Sequence, residues 1–491
     1  MQKKLLVSLL VTVALICTCA LAASAVGTLA DDGVFEISQA EELRDLAHLI
    51  TDKESGYADA RAAAYRLTND IDMAAITDMI PIGANSGNAF TGTFDGNGHS
   101  VRNLNLVPAE DATGNYWGLF GRIATPAVIK NLTVEGTVTS GGAYVGGIVG
   151  LVASGATIEN CVNRCTVTYT GTATAYGVGG VVGHAGGKDK VNTVTAGSKQ
   201  TGTLVITNCR NEGDVLGSKC VGGILGRSDI TSGSVTVTGC VNTGDITATI
   251  GDKNGYADVG GIAGFDQSVA DAKQPHTYVG CTNLGNVAFK KLAGYDFATF
   301  TKGFGFNGIG GILGRAYTTG IKVTGCYNGG TVTTDGLLEN EVSAAEHARV
   351  MVGDGGKAPT HANNYCKPGA GAMNSVDAIE IDLALDSTSA EIYKDGNATV
   401  RYITKLTADD AAAVESYGIM IAKVDDNVDA KYAVLTDSFE GTETTYAVDL
   451  VGIPETARDI NIYAWAYVNL AGGVQIVLPI DPVTVNRIIT G

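Results

Sequence analysis

The chain has 491 residues but only 9 prolines, 7% aromatics and 17% charged residues. Few prolines beside 66 glycines, with no Gly-X-Y period, exclude a collagen helix. Low charge with 45% apolar residues excludes a disordered chain, because there is enough apolar surface to offset the entropy of ordering. Clusters of Lys and Arg are missing and the net charge is -18, which speaks against nucleic acid as a partner. Beyond the first two dozen residues no apolar run is long enough to span a bilayer. What is present in excess is glycine, about one residue in seven and roughly twice ordinary usage.

The N-terminus reads as an export signal over residues 1–25. Lys3 and Lys4 precede an apolar run from Leu5 to Leu21, and small residues follow at Ala22-Ala23-Ser24-Ala25, the order that export machinery recognises. Cys17 and Cys19 follow Ile16 and Thr18 where a lipid-attachment site wants a small residue. The C-terminal residues carry no sorting motif, so the chain is expected to be released or held at a surface by non-covalent contacts.

Most of the glycines belong to a repeat. Val101-Arg102-Asn103-Leu104, Ile129-Lys130-Asn131-Leu132, Ile158-Glu159-Asn160-Cys161 and Ile206-Thr207-Asn208-Cys209 align position by position, and Val237-Thr238-Gly239-Cys240, Val279-Gly280-Cys281 and Val323-Thr324-Gly325-Cys326 continue the series. The second half of each unit is a framed apolar pair. Copies are Gly146-Gly147-Ile148-Val149-Gly150, Gly179-Gly180-Val181-Val182-Gly183, Gly222-Gly223-Ile224-Leu225-Gly226, Gly260-Gly261-Ile262-Ala263-Gly264 and Gly310-Gly311-Ile312-Leu313-Gly314, with Trp117-Gly118-Leu119-Phe120-Gly121 as an early one. A fixed period of this size means a solenoid whose units bury apolar faces against their neighbours. The short units hold only β-branched runs and turns, which selects a right-handed parallel β-helix. Glycine is expected at its corners, through positive φ or close stacking.

Five cysteines, Cys161, Cys209, Cys240, Cys281 and Cys326, share one repeat position that Leu104 and Leu132 fill earlier, so they read as a buried column of thiols. Stacked side chains run parallel and do not face each other as a disulfide requires. Cys165, Cys220 and Cys366 lie off the column, and a bridge among them stays open. Asn163, Asn211, Asn242, Asn283 and Asn328 form a second expected column, at left-handed corners and hydrogen-bonded from copy to copy. Ahead of the repeat, Ser38 and Glu41 have capping-box spacing. Leu43, Leu46, Ala47 and Ile50 fall on one helical face, a helix expected to cap the solenoid, and the strands are expected to begin at Ala64-Tyr65-Arg66-Leu67.

Phe35-Glu36-Ile37 with that helix, Tyr65-x-Leu67-x-Asn69-Asp70-Ile71-Asp72, Phe90-Thr91-Gly92-Thr93-Phe94-Asp95-Gly96-Asn97-Gly98-His99 and the repeated Gly-Gly-Ile-x-Gly resemble the GLUG-motif β-helix proteins of bacterial surfaces, over residues 32–335. That family includes surface adhesins, and a similar region precedes the zinc protease module of immunoglobulin A1 peptidases. The resemblance implies a secreted or surface β-helix and no particular activity.

Residues 336–375 read as a degenerate repeat and linker, with Gly353-Asp354-Gly355-Gly356 a broken copy. Over 376–491 six alternating apolar runs, among them Thr399-Val400-Arg401-Tyr402-Ile403 and Ile460 to Val468, predict an antiparallel sandwich of immunoglobulin-like type. Trp465 is expected in its core.

Signatures of chemistry are sparse. No H-E-x-x-H occurs, since Glu346-His347 has no second histidine at the needed spacing. Gly303-Phe304-Gly305-Phe306-Asn307-Gly308 spells a dinucleotide fingerprint outside any βαβ unit. Asp95-Gly96-Asn97-Gly98 reads as a turn, and Asp425, Asp426 and Asp429 as a solvated turn. Asp214 and Asp245 occupy matching positions one unit apart, the nearest thing to the acid pair of a glycan-cleaving β-helix. The reading that follows is an exported, non-catalytic protein without metal or cofactor, binding a glycan or a host or matrix protein. Inserts at about Gly186 to Gly202 and Gly285 to Gly305 are the expected contact loops. The rival readings are a polysaccharide lyase or glycosidase and a structural subunit of a surface assembly.

Overall fold

The computed structural model describes residues 26–85, 87–108, 115–171, 177–186, 201–250, 257–267, 275–291, 308–317, 320–334, 348–355, 359–371, 378–423, 430–435 and 439–490. The export signal, most of both inserts, the first five residues of the Gly303–Gly308 fingerprint, Glu346-His347 and Asp425, Asp426 and Asp429 lie outside these.

The described residues are mainly strands that stack in parallel, a β-helix-like arrangement. A coil visits four sheets in turn. Gly155–Glu159 lies in the first, Val162–Tyr169 in the second, Gly177–Gly179 in the third and Val182–Ala185 in the fourth. Each strand pairs in parallel with its counterpart one coil on, as at Ile158 with Ile206, Val167 with Val215, Val178 with Val221 and Val182 with Leu225. The register is fixed because inward residues such as Ile158, Val167, Val178 and Ile206 are fully buried, and a one-residue slip would turn them all outward.

The first sheet starts earlier than Ala64. Phe35–Ile37 pairs in parallel with Ala64–Leu67, opposite Tyr65, and antiparallel with Thr28–Leu29. Between them the helix Ala40–Thr51 buries Leu43, Leu46, Ala47 and Ile50. Its N-terminus is set one residue later than the spacing predicts. Glu42, not Glu41, accepts hydrogen bonds from the Ser38 and Gln39 amides at 2.6 and 3.1 Å.

Within the stretch read as a degenerate repeat and linker, one more coil is present. Ala348–Arg349 pairs with Ile309 and Gly310 in the third sheet, and Val352–Gly355 with Leu313–Ala316 in the fourth. Gly353 and Asp354 therefore sit in a working coil, and Gly353 approaches the Ile309 amide so closely that a Cβ would collide with it.

Contacts divide the described residues into two units, one reaching Val323 and including Asn328–His361, the other made of Thr324–Tyr327, Ala362–Ala370 and the residues from 378 on. In the second unit Ile379–Ile392, Ala398–Ala408 and Glu443–Ile453 form one antiparallel sheet. Lys431–Leu435, Val414–Ala422, Ile462–Leu470 and Val474–Val483 form another. Tyr402, Leu406, Ile419, Ala466 and Val468 from the two sheets share one apolar core. Trp465 does not join it. Alternation puts Trp465 and Tyr467 on the other side of their strand from Ala466, where they pack with Met420 as a separate cluster.

Candidate functional site

The repeat's polar residues are arranged as ladders, and the ladders determine which side chains remain available. The inner asparagine column is fully buried. Asn163 Nδ2 donates to Asn211 Oδ1 at 2.7 Å, Asn211 to Asn242 at 2.7 Å, Asn242 to Asn283 at 2.7 Å and Asn283 to Asn328 at 2.8 Å. Each amide also donates to a carbonyl two residues on, for example Gly213 at 2.7 Å and Gly244 at 2.8 Å. These asparagines are not the left-handed corners. Those fall just before the cysteine column, at Asn160 (φ 53°), Asn208 (51°), Gly239 (62°) and Gly280 (61°), where only Asn and Gly adopt the conformation readily.

The framing glycines serve close approach. In each Gly-Gly pair a Cβ on the second glycine would fall on the inner asparagine column, as Gly180 would on Asn211 Oδ1 and the Gly223 carbonyl. A Cβ on the first or the third glycine would strike the facing strand, as Gly179 would strike the Val182 carbonyl and Gly183 the Val145 carbonyl. The third and fourth sheets thus meet backbone to backbone.

Asp214 and Asp245 do stack one coil apart. Asp214 Oδ1 accepts the Asp245 amide at 2.9 Å, and Asp245 Oδ1 accepts the Asn286 amide at 2.9 Å and Asn286 Nδ2 at 3.1 Å. Asn286 Oδ1 accepts from Thr331 in the same way. This is an exposed ladder that ties one coil's backbone to the previous coil's side chain. Asp95 likewise closes a turn on the Asn97 amide at 2.8 Å and takes the Asn131 side chain at 3.0 Å.

A cluster that the sequence reading missed lies where the third and fourth sheets diverge. The residue after the third glycine of each frame points there: Arg122, Leu151, His184, Arg227, Phe265 and Arg315, which pair in register from coil to coil. Tyr116 and Tyr144 of the third sheet stack at 5.5 Å between ring centroids, and Tyr144 meets the His184 ring edge-on at 4.8 Å. Further along the cluster turns ionic. Arg227 donates to Asp229 at 2.9 Å, lies 4.8 Å over the Phe265 ring and reaches Cys220 Sγ at 3.9 Å. His184 Nε2 stands 3.3 Å from the other Asp229 oxygen, and Arg315 4.0 Å from Asp258. Burial pushes the Asp229 carboxyl up, but His184 and Arg227 outweigh it and hold the group below the usual carboxylate range. Burial pushes the Cys220 thiol up to about 12. The missed signal was periodic and short, one variable residue after each Gly-Gly-x-x-Gly.

Inside the coil stack, Asp266 accepts the Tyr278 hydroxyl at 2.8 Å and lies 2.7 Å from His276 Nδ1, all three buried. Burial, with Asp266 beside it, raises the Tyr278 phenol well above its ordinary value. The three side chains satisfy one another, which offsets the desolvation cost of burying them.

All eight cysteines among the described residues are buried thiols and none is in a disulfide, Cys165, Cys220 and Cys366 included. In the column each Sγ donates to the carbonyl two residues before it, at 3.3 Å for Cys161 and 3.5 Å for Cys209 and Cys240. Burial pushes the Cys161 and Cys240 thiols up. Gly308, the last residue of the dinucleotide-like string, begins a strand of the third sheet. Among the described residues no three His, Cys, Asp or Glu side chains are placed to share a metal ion, and no helix is long and apolar enough to cross a membrane.

No family model matches the chain. A segment of 98 residues, 18% of this chain, is 36% identical to halomucin of Haloquadratum walsbyi, of which it spans about 1%. Among solved structures the chain resembles a Bacteroides ovatus protein described as a "putative immunoglobulin A1 protease", at 20% identity and a TM-score of 0.39, covering 72% of this chain and 82% of that one.

Proposed function

We propose that this is an exported or surface-held, non-catalytic scaffold of the GLUG type. In this reading it is a right-handed β-helix capped by the helix Ala40–Thr51 and followed by an immunoglobulin-like sandwich, and it acts by binding a glycan or a host or matrix protein. The observation that supports the reading is the role of the aligned acids. Asp214 and Asp245 each hold the next coil's amide through a side-chain oxygen, which is the work of a rung and leaves the column continuous with Asn286 and Thr331 where no acid is present. In the cluster around Arg227 and Asp229 the charges likewise pair with one another. The halomucin likeness adds weight only for the segment it covers.

The test is to incubate the purified full chain with immobilised mucins, neutral and acidic glycans and matrix proteins, and to score retention and new reducing ends together. Retention without turnover is expected. Reducing ends that disappear in an Asp214→Asn, Asp245→Asn double variant would establish the lyase or glycosidase reading instead, and neither retention nor turnover would favour a subunit of a surface assembly.

A further inference from the structure

The thiol column has a consequence that does not depend on what the protein binds. Cys161, Cys209, Cys240 and Cys281 occur in successive coils of the first unit, each fully buried, with Sγ directed at backbone carbonyls of its own coil and of the preceding one, as at Cys209 with Ile158 at 3.6 Å and Cys240 with Ile206 at 3.7 Å. The four cysteines lie in the turns between strands of the first and second sheets, in coils stacked about 4.8 Å apart, whereas a disulfide needs Cβ atoms about 3.8 Å apart and turned toward each other. A bridge between neighbours in the column is therefore incompatible with the stacked coils, although the unfolded chain has no such restriction.

We infer that the column makes folding a redox gate. The folded solenoid shields its thiols from oxidants, while a chain oxidised before the coils close is barred from the native stack. In the unfolded chain, one cysteine thiolate attacks a low-molecular-weight disulfide such as oxidised glutathione, releasing one small thiol and leaving a mixed disulfide. A second cysteine thiolate then displaces the remaining small thiol and closes a protein disulfide. Two protein thiols are oxidised, one small disulfide is reduced to two small thiols, and the two cysteine protons pass to them. The same thiols in the folded chain are out of reach of the reagent, each being fully buried. The coils must then close before the thiols meet a disulfide oxidant, and the thiols need no such protection afterwards.

The experiment uses the full chain carrying Cys17→Ser and Cys19→Ser, so that eight thiols remain to be counted. Alkylation of the folded protein is expected to be at least about a thousand-fold slower than in denaturant, the ratio that ordinary domain stability allows for reaction through opening. Refolding from denaturant with oxidised glutathione should recover at most one fifth of the β-structure signal obtained with dithiothreitol, and later addition of dithiothreitol should restore it. In a variant with Cys161, Cys209, Cys240, Cys281 and Cys326 all changed to Val, the fivefold loss should shrink below twofold. Folded-state alkylation within tenfold of the denatured rate, or an oxidised chain that regains the native signal with column disulfides intact, would overturn the inference. So would an undiminished loss in the valine variant. If that variant does not fold even in reductant, the first two measurements on the parent chain still decide.

Discussion

A single asparagine of the inner column serves three coils, because its amide donates along the stack and to its own loop while its oxygen accepts from the coil before. Asn242→Ala removes three bonds at once, those with the Asn211 amide, the Asn283 Oδ1 and the Gly244 carbonyl. The expected loss is about 3 kcal/mol, read by denaturant unfolding. Gly180→Ala should be at least as severe, since the added methyl would occupy the place of the Gly223 carbonyl oxygen. Gly98, with φ +81° and no atom within 4 Å of an added Cβ, sets the contrast: Gly98→Ala costs only backbone strain, about 1 kcal/mol. At the cysteine column, Cys240→Val keeps a small apolar group and should cost under about 1.5 kcal/mol.

At the scale of elements, two histidine–aspartate contacts give opposite pH responses. His48 anchors the helix Ala40–Thr51, bonding Asp52 at 2.8 Å and the Asp78 carbonyl at 2.9 Å. Partial burial opposes its charge, but these bonds raise its pKa above the ordinary 6.5. Its contribution is thus complete below about pH 6.5 and is lost as pH rises through the higher folded value, so a His48→Gln variant should flatten the stability profile between neutral and mildly alkaline pH. Asp229 behaves the other way. Its folded value lies below 3.8, so its contribution is present above that value and is lost as pH falls through the folded one. Asp229→Asn should remove that acid limb and, by taking the carboxylate from the largely enclosed Arg227, cost about 3 kcal/mol at neutral pH. The coil elements themselves were legible, because β-branched residues alternate around turns at a fixed period and the cysteine position alternates with leucine. The glycine frame was visible too, but its cause was ambiguous between strained corners and close packing. Only the positions of Val145 and Asn211 relative to Gly183 and Gly180 decide for packing. The ionic cluster was not legible, since a position holding Leu, His, Arg and Phe in turn has no common polarity, and what unites its members is their shared location.

For the whole molecule, the two tryptophans divide conveniently: Trp117 belongs to the solenoid unit and Trp465 to the second unit. In a Trp117→Phe background, adding Gly180→Ala should lower the midpoint of the β-structure transition while leaving the Trp465 fluorescence midpoint within error, and a coincident shift of both would show the units to be one cooperative body. Sequence marked the change of character between the two regions by the decay of the glycine frames, and the coil at Ala348–Gly355, which lacks the cysteine and the full frame, is recognisable by its pairing with Ile309 and Leu313. The backbone contact between the third and fourth sheets has one more consequence. Because the framing glycines put no side chain between them, no fully framed coil needs a partner of particular size or shape across that contact, and each of these coils brings its own asparagine, apolar plug and three glycines. At this contact a framed coil is therefore an interchangeable part: copying one whole unit of the gene would lengthen the stack by a single strand spacing with no change to the glycine contact itself, and what would have to be matched again is the variable residue after the third glycine.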